Sequence, residues 1–225
     1  MRFSRKASAL ALVCATTIIG TVGALDASGE TGGHFTMESD PGTLRITEGG
    51  THFLQYSIPG MEPFECESEE LGSIPNEKTI TEIGFGRENN EPCRTKNGGK
   101  GYGETRFHFN KCRIVLKIGK KAAQDNTTDL ECPTGGQLEI THTNCVIKVP
   151  AQKGFKGVSY NTVVEGGKHA ITAVFTVGNM SANFEEGICV FLGTTHAMAV
   201  TGSITIFARD KAGLATGLTA TGSEG

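Results

Sequence analysis

The strongest constraint in this sequence is a period of two. In THFLQYSI (51–58), KTITEIGF (78–85), ETRFHFN (104–110), CRIVLKI (112–118), QLEITHT (137–143), CVIKV (145–149), HAITAVFTV (169–177) and GSITIFA (202–208), apolar side chains alternate with polar ones. Successive side chains of an extended strand point to opposite faces, so each run buries one face and wets the other. The runs are rich in Thr, Ile, Val and Phe, which suit a pleated, half-buried surface, and the 31 glycines punctuate them as turns. Only GKKAAQDN (119–126) hints at a short helix. Strands at this spacing predict an all-β chain with an antiparallel β-sandwich-like architecture.

A repeat lies beneath the alternation. EGGTH at 48–52 precedes a strand, Cys66 and TITEIGF at 79–85, while EGGKH at 165–169 precedes a strand, Cys189 and SITIF at 203–207. From cysteine to final strand is 13 residues in one case and 14 in the other. Two pseudo-repeated β units, about 34–110 and 111–210, would account for this, and so would the common composition of glycine turns and Thr-rich strands.

The N-terminus, MRFSRKASALALVCATTIIGTVGALDASGE, has the layout of a signal peptide: Arg2, Arg5 and Lys6, an apolar run, then small residues around Ala24. The expected organisation is a signal peptide at 1–24, with Ala27 as an alternative cleavage point, and a flexible linker at 25–33. A β-rich globular region follows at 34–210, then a flexible C-terminal tail at 211–225. The apolar run is shorter than the roughly 20 residues that span a bilayer, and no second run follows, so no membrane span is expected in the mature chain. The expected location is secreted and extracellular. Loss of residues 1–24 leaves 18 basic against 24 acidic side chains, a net charge of −6. Such a chain has no general attraction to nucleic acid or to an anionic membrane.

Six cysteines remain after that cleavage: Cys66, Cys93, Cys112, Cys132, Cys145 and Cys189. An even number in an exported chain predicts three disulfides. Zinc knuckles and redox sites both favour CxxC spacing, which is absent from the sequence. Sequential pairing, 66 with 93, 112 with 132 and 145 with 189, closes local loops and is the expected connectivity. Its rival joins Cys132 to Cys145, the two ends of CPTGGQLEITHTNC.

PFECES, LECPTGGQLEI leading to NCVIKV, and GICVF before a Thr- and Gly-rich strand together resemble uncharacterised secreted, cysteine-containing β-rich proteins of soil actinobacteria. The resemblance covers most of the mature chain and implies an all-β exported protein. It implies no activity and supplies no functional residues.

Charge reverses along the chain. Nine glutamates (62, 65, 67, 69, 70, 77, 82, 88 and 91) face only Lys78 and Arg87 between positions 62 and 91. Nine basic residues (94, 96, 100, 106, 111, 113, 117, 120 and 121) then accompany only Glu104 up to position 121. Pairing of these runs across neighbouring strands is the plainer expectation. The sharper one is a protein or cell-surface partner met through the acidic Glu62 to Glu91 region. Glu65, Glu67 and Glu69 would share one strand face and suit calcium, but no calcium-loop motif surrounds them, so a solvated face is preferred.

Hydrolase motifs (GxSxG, HExxH, SxxK) do not occur. His52, His108, His142, His169 and His196 fall in or near alternating strands without a partner motif. KNGGKGYGE (96–104) looks like a phosphate loop, but a strand follows it where the motif demands a helix, so a surface loop is expected. With no Trp and three Tyr, a flat aromatic sugar platform is not expected. Asn126 and Asn179 match the N-glycosylation pattern. No catalytic residue, cofactor or metal ligand is assigned. The leading expectation is a disulfide-stabilised protein with a non-catalytic binding or cell-envelope role. The alternative is a secreted hydrolase whose site assembles from distant strands.

Overall fold

The computed structural model describes residues 33–39, 41–47, 54–61, 63–66, 69–73, 77–86, 92–95, 105–119, 125–187 and 189–222. The signal-peptide segment, EGGTH, the 96–104 loop, most of GKKAAQDN, and Glu62, Glu67, Glu88 and Glu91 lie outside them. The described residues hold no α-helix. The first strands are β1 (His34–Met37), β2 (Pro41–Thr47), β3 (Leu54–Ser57), β4 (Phe64–Cys66), β5 (Glu69–Ser73), β6 (Thr79–Ile80) and β7 (Glu82–Phe85). Then come β8 (Pro92–Thr95), β9 (Thr105–His108), β10 (Arg113–Lys117), β11 (Thr127–Glu131), β12 (Gln137–His142) and β13 (Cys145–Pro150). The last are β14 (Gln152–Phe155), β15 (Val158–Glu165), β16 (Lys168–Gly187), β17 (Thr194–Asp210), β18 (Ala215–Thr216) and β19 (Leu218–Thr221).

Their pairings, all antiparallel, reduce to a simple path. β2 and β3 lie along β17, β5 and β4 along β2 and β3, and β7 and β8 along β5 and β4. β10 and β9 lie along β7 and β8, and β11 and β12 along β10 and β9. β14 and β13 follow along β11 and β12, β13 and β15 both pair with β16, and β16 returns to β17. The chain therefore runs up and down through eight lanes whose first and last are neighbours, a barrel-like meander. In one half the circuit β3, β4, β8, β9, β12, β13, β16, β17 closes without a break, which leaves no free edge there.

Alternation decides which side chains turn inward. β13 buries Cys145, Ile147 and Val149 and leaves the residues between them half-exposed; β3 buries Leu54 and Tyr56 in the same way. Tyr56 of the first lane reaches Phe107 of the fourth with ring centroids 4.7 Å apart, and Phe64 lies 5.7 Å from Phe107. Facing walls thus fill the interior with interlocking side chains, in keeping with the sandwich-like layering that the alternation implies. The sheet runs across the 110/111 boundary of the two pseudo-repeat segments, where β9 pairs with β12 and β7 with β10, and one buried cluster serves both.

A separate sheet, β19–β1–β6, stands beside the meander. Its Phe35, Met37, Ile80 and Leu218 are buried, and Phe35 meets Tyr160 edge-on at 5.1 Å. This corrects the expectation of a flexible tail from residue 211. Small and Thr-rich though it is, the segment alternates, and Leu218, Thr219, Ala220 and Thr221 pair in register with β1.

Candidate functional site

The cysteines follow the ladder. Cys112 and Cys132 extend the β10–β11 register, in which Arg113 faces Glu131, and are bonded with Cα atoms 4.0 Å apart. Cys145 opens β13 opposite Gly187, close to the end of β16, and is bonded to Cys189 with Cα atoms 5.4 Å apart. Cys132 and Cys145 therefore belong to two different bridges and not to one another. Cys93 is buried and also disulfide-bonded; the side chain of Cys66, its expected partner, lies outside the described residues.

The Cys145–Cys189 bridge fixes an unusual tip. Directly after Cys189, Val190–Leu192 forms a 3-10 turn closed by Leu192 N–H to Cys189 O at 2.9 Å and Gly193 N–H to Val190 O at 3.1 Å. Phe184 N–H donates to Gly193 O at 2.8 Å, which returns the turn to the sheet. Gly187 (φ 82°) and Gly193 (φ 64°) supply left-handed corners on either side. The result holds Val190 53%, Phe191 81% and Leu192 37% exposed. Three consecutive large apolar residues facing outward from a cross-linked turn are not a core default.

A second feature lies in the wall. β13 stops pairing with β16 at Lys148 opposite Asn183, and β15 resumes only at Val158 opposite Phe175. Between them β14 turns away to pair with β11. Across the gap, Ser181 N–H donates to Gln152 Oε1 (2.7 Å), and Gln152 Nε2 donates to Ser181 O (2.8 Å) and Pro150 O (3.2 Å). A side-chain amide thus stands in for a backbone rung. On its other edge, β16 shifts register with β17 on both sides of Met180, with Asn179 at φ 61°. Behind this wall is a narrow cavity of about 40 Å³ lined mainly by apolar side chains of six lanes, among them Phe107, Leu138, Phe155, Phe175, Met180 and Met198, with Thr128 and Asp129 also at its border.

Charged groups gather on the outer face of β7, β10 and β11. Lys117 Nζ is 2.6 Å from Asp129 Oδ2, 3.8 Å from Glu131 and 3.9 Å from Glu82; Arg113 meets Glu131 at 2.7 Å. Burial pushes the Asp129 carboxyl up. The Lys117 hydrogen bond and the Gly154 N–H, 2.7 Å from Oδ1, outweigh that and hold it below the usual carboxylate range. The Asp129 hydrogen bond raises Lys117. Lys117 with Glu82 joins the basic run to the acidic one, and the β4–β8 register sets Glu65 opposite Arg94, so the plainer reading of the charge reversal holds at these positions. Burial alone raises the Tyr160 phenol.

Two hydroxyl–imidazole pairs occur: Thr105 Oγ1 with His142 Nδ1 and Ser181 Oγ with His196 Nδ1, both at 2.7 Å. Thr105 is buried while the Ser181 pair is exposed, and they sit on different lanes. Among the described residues no group of three or more His, Cys, Asp and Glu could hold a metal ion. Of the two glycosylation-pattern asparagines, Asn126 is buried and accepts from Gly119 N–H at 2.9 Å, while Asn179 is exposed on the irregular stretch of β16.

Fold and site together define a disulfide-stabilised, barrel-like antiparallel β protein with an apolar tip and a side-chain-bridged wall. No protein-family model, curated protein or solved structure matches the chain.

Proposed function

We propose that this is an extracellular binding protein, non-catalytic, that contacts a partner protein through the cystine-fixed tip Val190–Leu192. The observation that carries the reading is Phe191, 81% exposed on a turn whose backbone is locked by hydrogen bonds and by Cys145–Cys189. A rigid aromatic anchor loses little conformational freedom on binding, and aromatic anchors seated in apolar pockets dominate many interfaces. Burying such a ring is worth about 1.5–3 kcal/mol, or roughly 10- to 100-fold in affinity. Glu186 on the adjacent strand end is exposed, while Glu185 beside it is ion-paired with Lys148 at 2.5 Å, so a partner pocket with a basic group at its rim fits best. The disulfides suit an oxidising compartment, and among the described residues no helix is long and apolar enough to cross a membrane.

The test is a photo-crosslinking amino acid placed at 191 in the secreting cell, with a second copy of the experiment at exposed Thr201 on the barrel wall. A discrete adduct at 191 that is missing at 201 is the expected result. Equal labelling at both positions, or none at 191, overturns the reading.

A further inference from the structure

We propose that the narrow cavity behind the bridged wall is a binding site for a small uncharged hydrocarbon, which enters sideways through that wall between β14 and β16.

The cavity lies directly behind the interval where β16 has lost its ladder. From Thr176 to Ala182 that edge is held by Thr176 N–H to Gly157 O at 2.7 Å and by the Gln152 amide on Ser181. A continuous strand pair would have to break several backbone bonds to part; here β14 itself is tied to β16 by the Gln152 side chain, with Thr176 bonded to Gly157 just beyond it. The two sides of β14 differ in how they are held. Toward β11 it pairs at Thr128 with Phe155 and at Leu130 with Gln152, and its Gly154 N–H is gripped by the ion-paired Asp129. Toward β16 it hangs on Gln152. Gly154 (φ 76°) and Gly178 each have open space where a side chain would stand, so the lips of the gap are small.

The lining favours an apolar occupant. Phe155, Phe175, Val177, Met180 and Met198 offer hydrocarbon and thioether surface, Thr128 and Asp129 add little polar surface to it, and so apolar a space holds ordered water poorly. A ligand therefore displaces no tightly bound solvent. At about 40 Å³ the space accepts a group of one or two carbons as it stands. Larger chains require movement of the two methionines, whose unbranched side chains adapt to irregular volumes. Charged or strongly polar molecules are excluded by the cost of leaving water without partners.

The test uses the oxidised chain with methyl-labelled methionine, exposed first to xenon gas and then to pentane-saturated buffer, followed by carbon–proton NMR. Met180 and Met198 methyl signals should shift and saturate, while Met37 and Met61, which do not line the cavity, should stay in place. Gln152→Ala should accelerate exchange of the probe several-fold and leave the saturated shifts unchanged, whereas Val200→Ile, which fills the cavity, should abolish them. Absence of any Met180 or Met198 shift with both probes overturns the site. Equal shifts at all four methionines show non-specific partition and also overturn it. Unchanged exchange in Gln152→Ala overturns the sideways route.

Discussion

Replacing Gln152 measures what the bridged wall is worth. Its amide makes three hydrogen bonds, accepting from Ser181 N–H at 2.7 Å and donating to Ser181 O at 2.8 Å and Pro150 O at 3.2 Å. A net bond contributes about 0.5–1.5 kcal/mol, and because the site is only part-buried, water replaces some of the loss. Gln152→Ala should therefore destabilise the chain by about 2 kcal/mol in urea denaturation near neutral pH. Gln152→Glu is the sharper variant. Its carboxylate still accepts from Ser181 N–H, but the other oxygen now confronts two carbonyls, for a cost of about 2–3 kcal/mol. Protonation restores one donor, so the folded state favours the neutral acid and raises the introduced carboxyl above its unfolded value of about 4.3. The deficit relative to wild type is then smallest below about pH 4 and grows as pH rises toward the raised folded value, recovering about 1 kcal/mol on the acid side. A loss under 0.5 kcal/mol for Gln152→Ala, or a Gln152→Glu deficit that stays flat from acid to neutral pH, would refute the claim that this amide carries the wall.

Non-reducing peptide mapping should give 112–132 and 145–189, with 66–93 as the third bridge; trapped thiol at Cys132 or Cys145 contradicts the fold. Serine pairs replacing the first two should cost about 3 and about 4 kcal/mol, because they close loops of 20 and 44 residues. Asp129→Asn should cost about 1–3 kcal/mol by thermal melting, a value discounted because Lys117 is 34% exposed. Because the folded Asp129 carboxyl is depressed, its contribution is present above about pH 4 and is lost as pH falls through the folded value; stability of Asp129→Asn should accordingly fall less steeply in acid than wild type. Gly187→Ala should cost more than Gly167→Ala. Both have positive φ, 82° and 76°, which alone is worth roughly 1–2 kcal/mol, but a methyl at 187 would strike the Asn144 carbonyl while at 167 it meets open space. Equal losses would mean that the turn at 144 yields.

Much of the sheet is legible in the alternation, because period two is a local signal. Ile140, Ile147, Ile171, Ile204 and Ile206 all belong to periodic runs and are fully buried. The eight-lane closure is different. β2 meets β17 across most of the chain, Ile46 opposite Ile206, and nothing near either residue announces the other. β14, with the sequence QKGF, has too few apolar residues to show a period, so neither the gap in the wall nor Gln152 had a signal in the sequence. The tip was hidden for the opposite reason. Val190, Phe191 and Leu192 have the composition of a core strand, and what turns them outward is a pair of left-handed glycines and a cystine. The predicted charge pairing was visible, since Lys117 and Glu82 sit in runs of opposite sign, but the buried partner Asp129 lies outside both runs.

The pairing of β17 with β2 and of β19 with β1 also sets a timetable. A chain that emerges N-terminus first exposes one edge of each of β1, β2 and β3, whose other edges pair early with β6, β5 and β4, long before the neighbours of that edge, β17 and β19, exist. Those neighbours arrive with the last 30 or so residues described, so the early strands wait with open edges and an unfilled interior. Closure is necessarily a late event involving the whole chain, slow in the manner of topologies dominated by distant contacts. Loss of Leu218–Thr221 would strip the cover from Phe35 after everything else had formed.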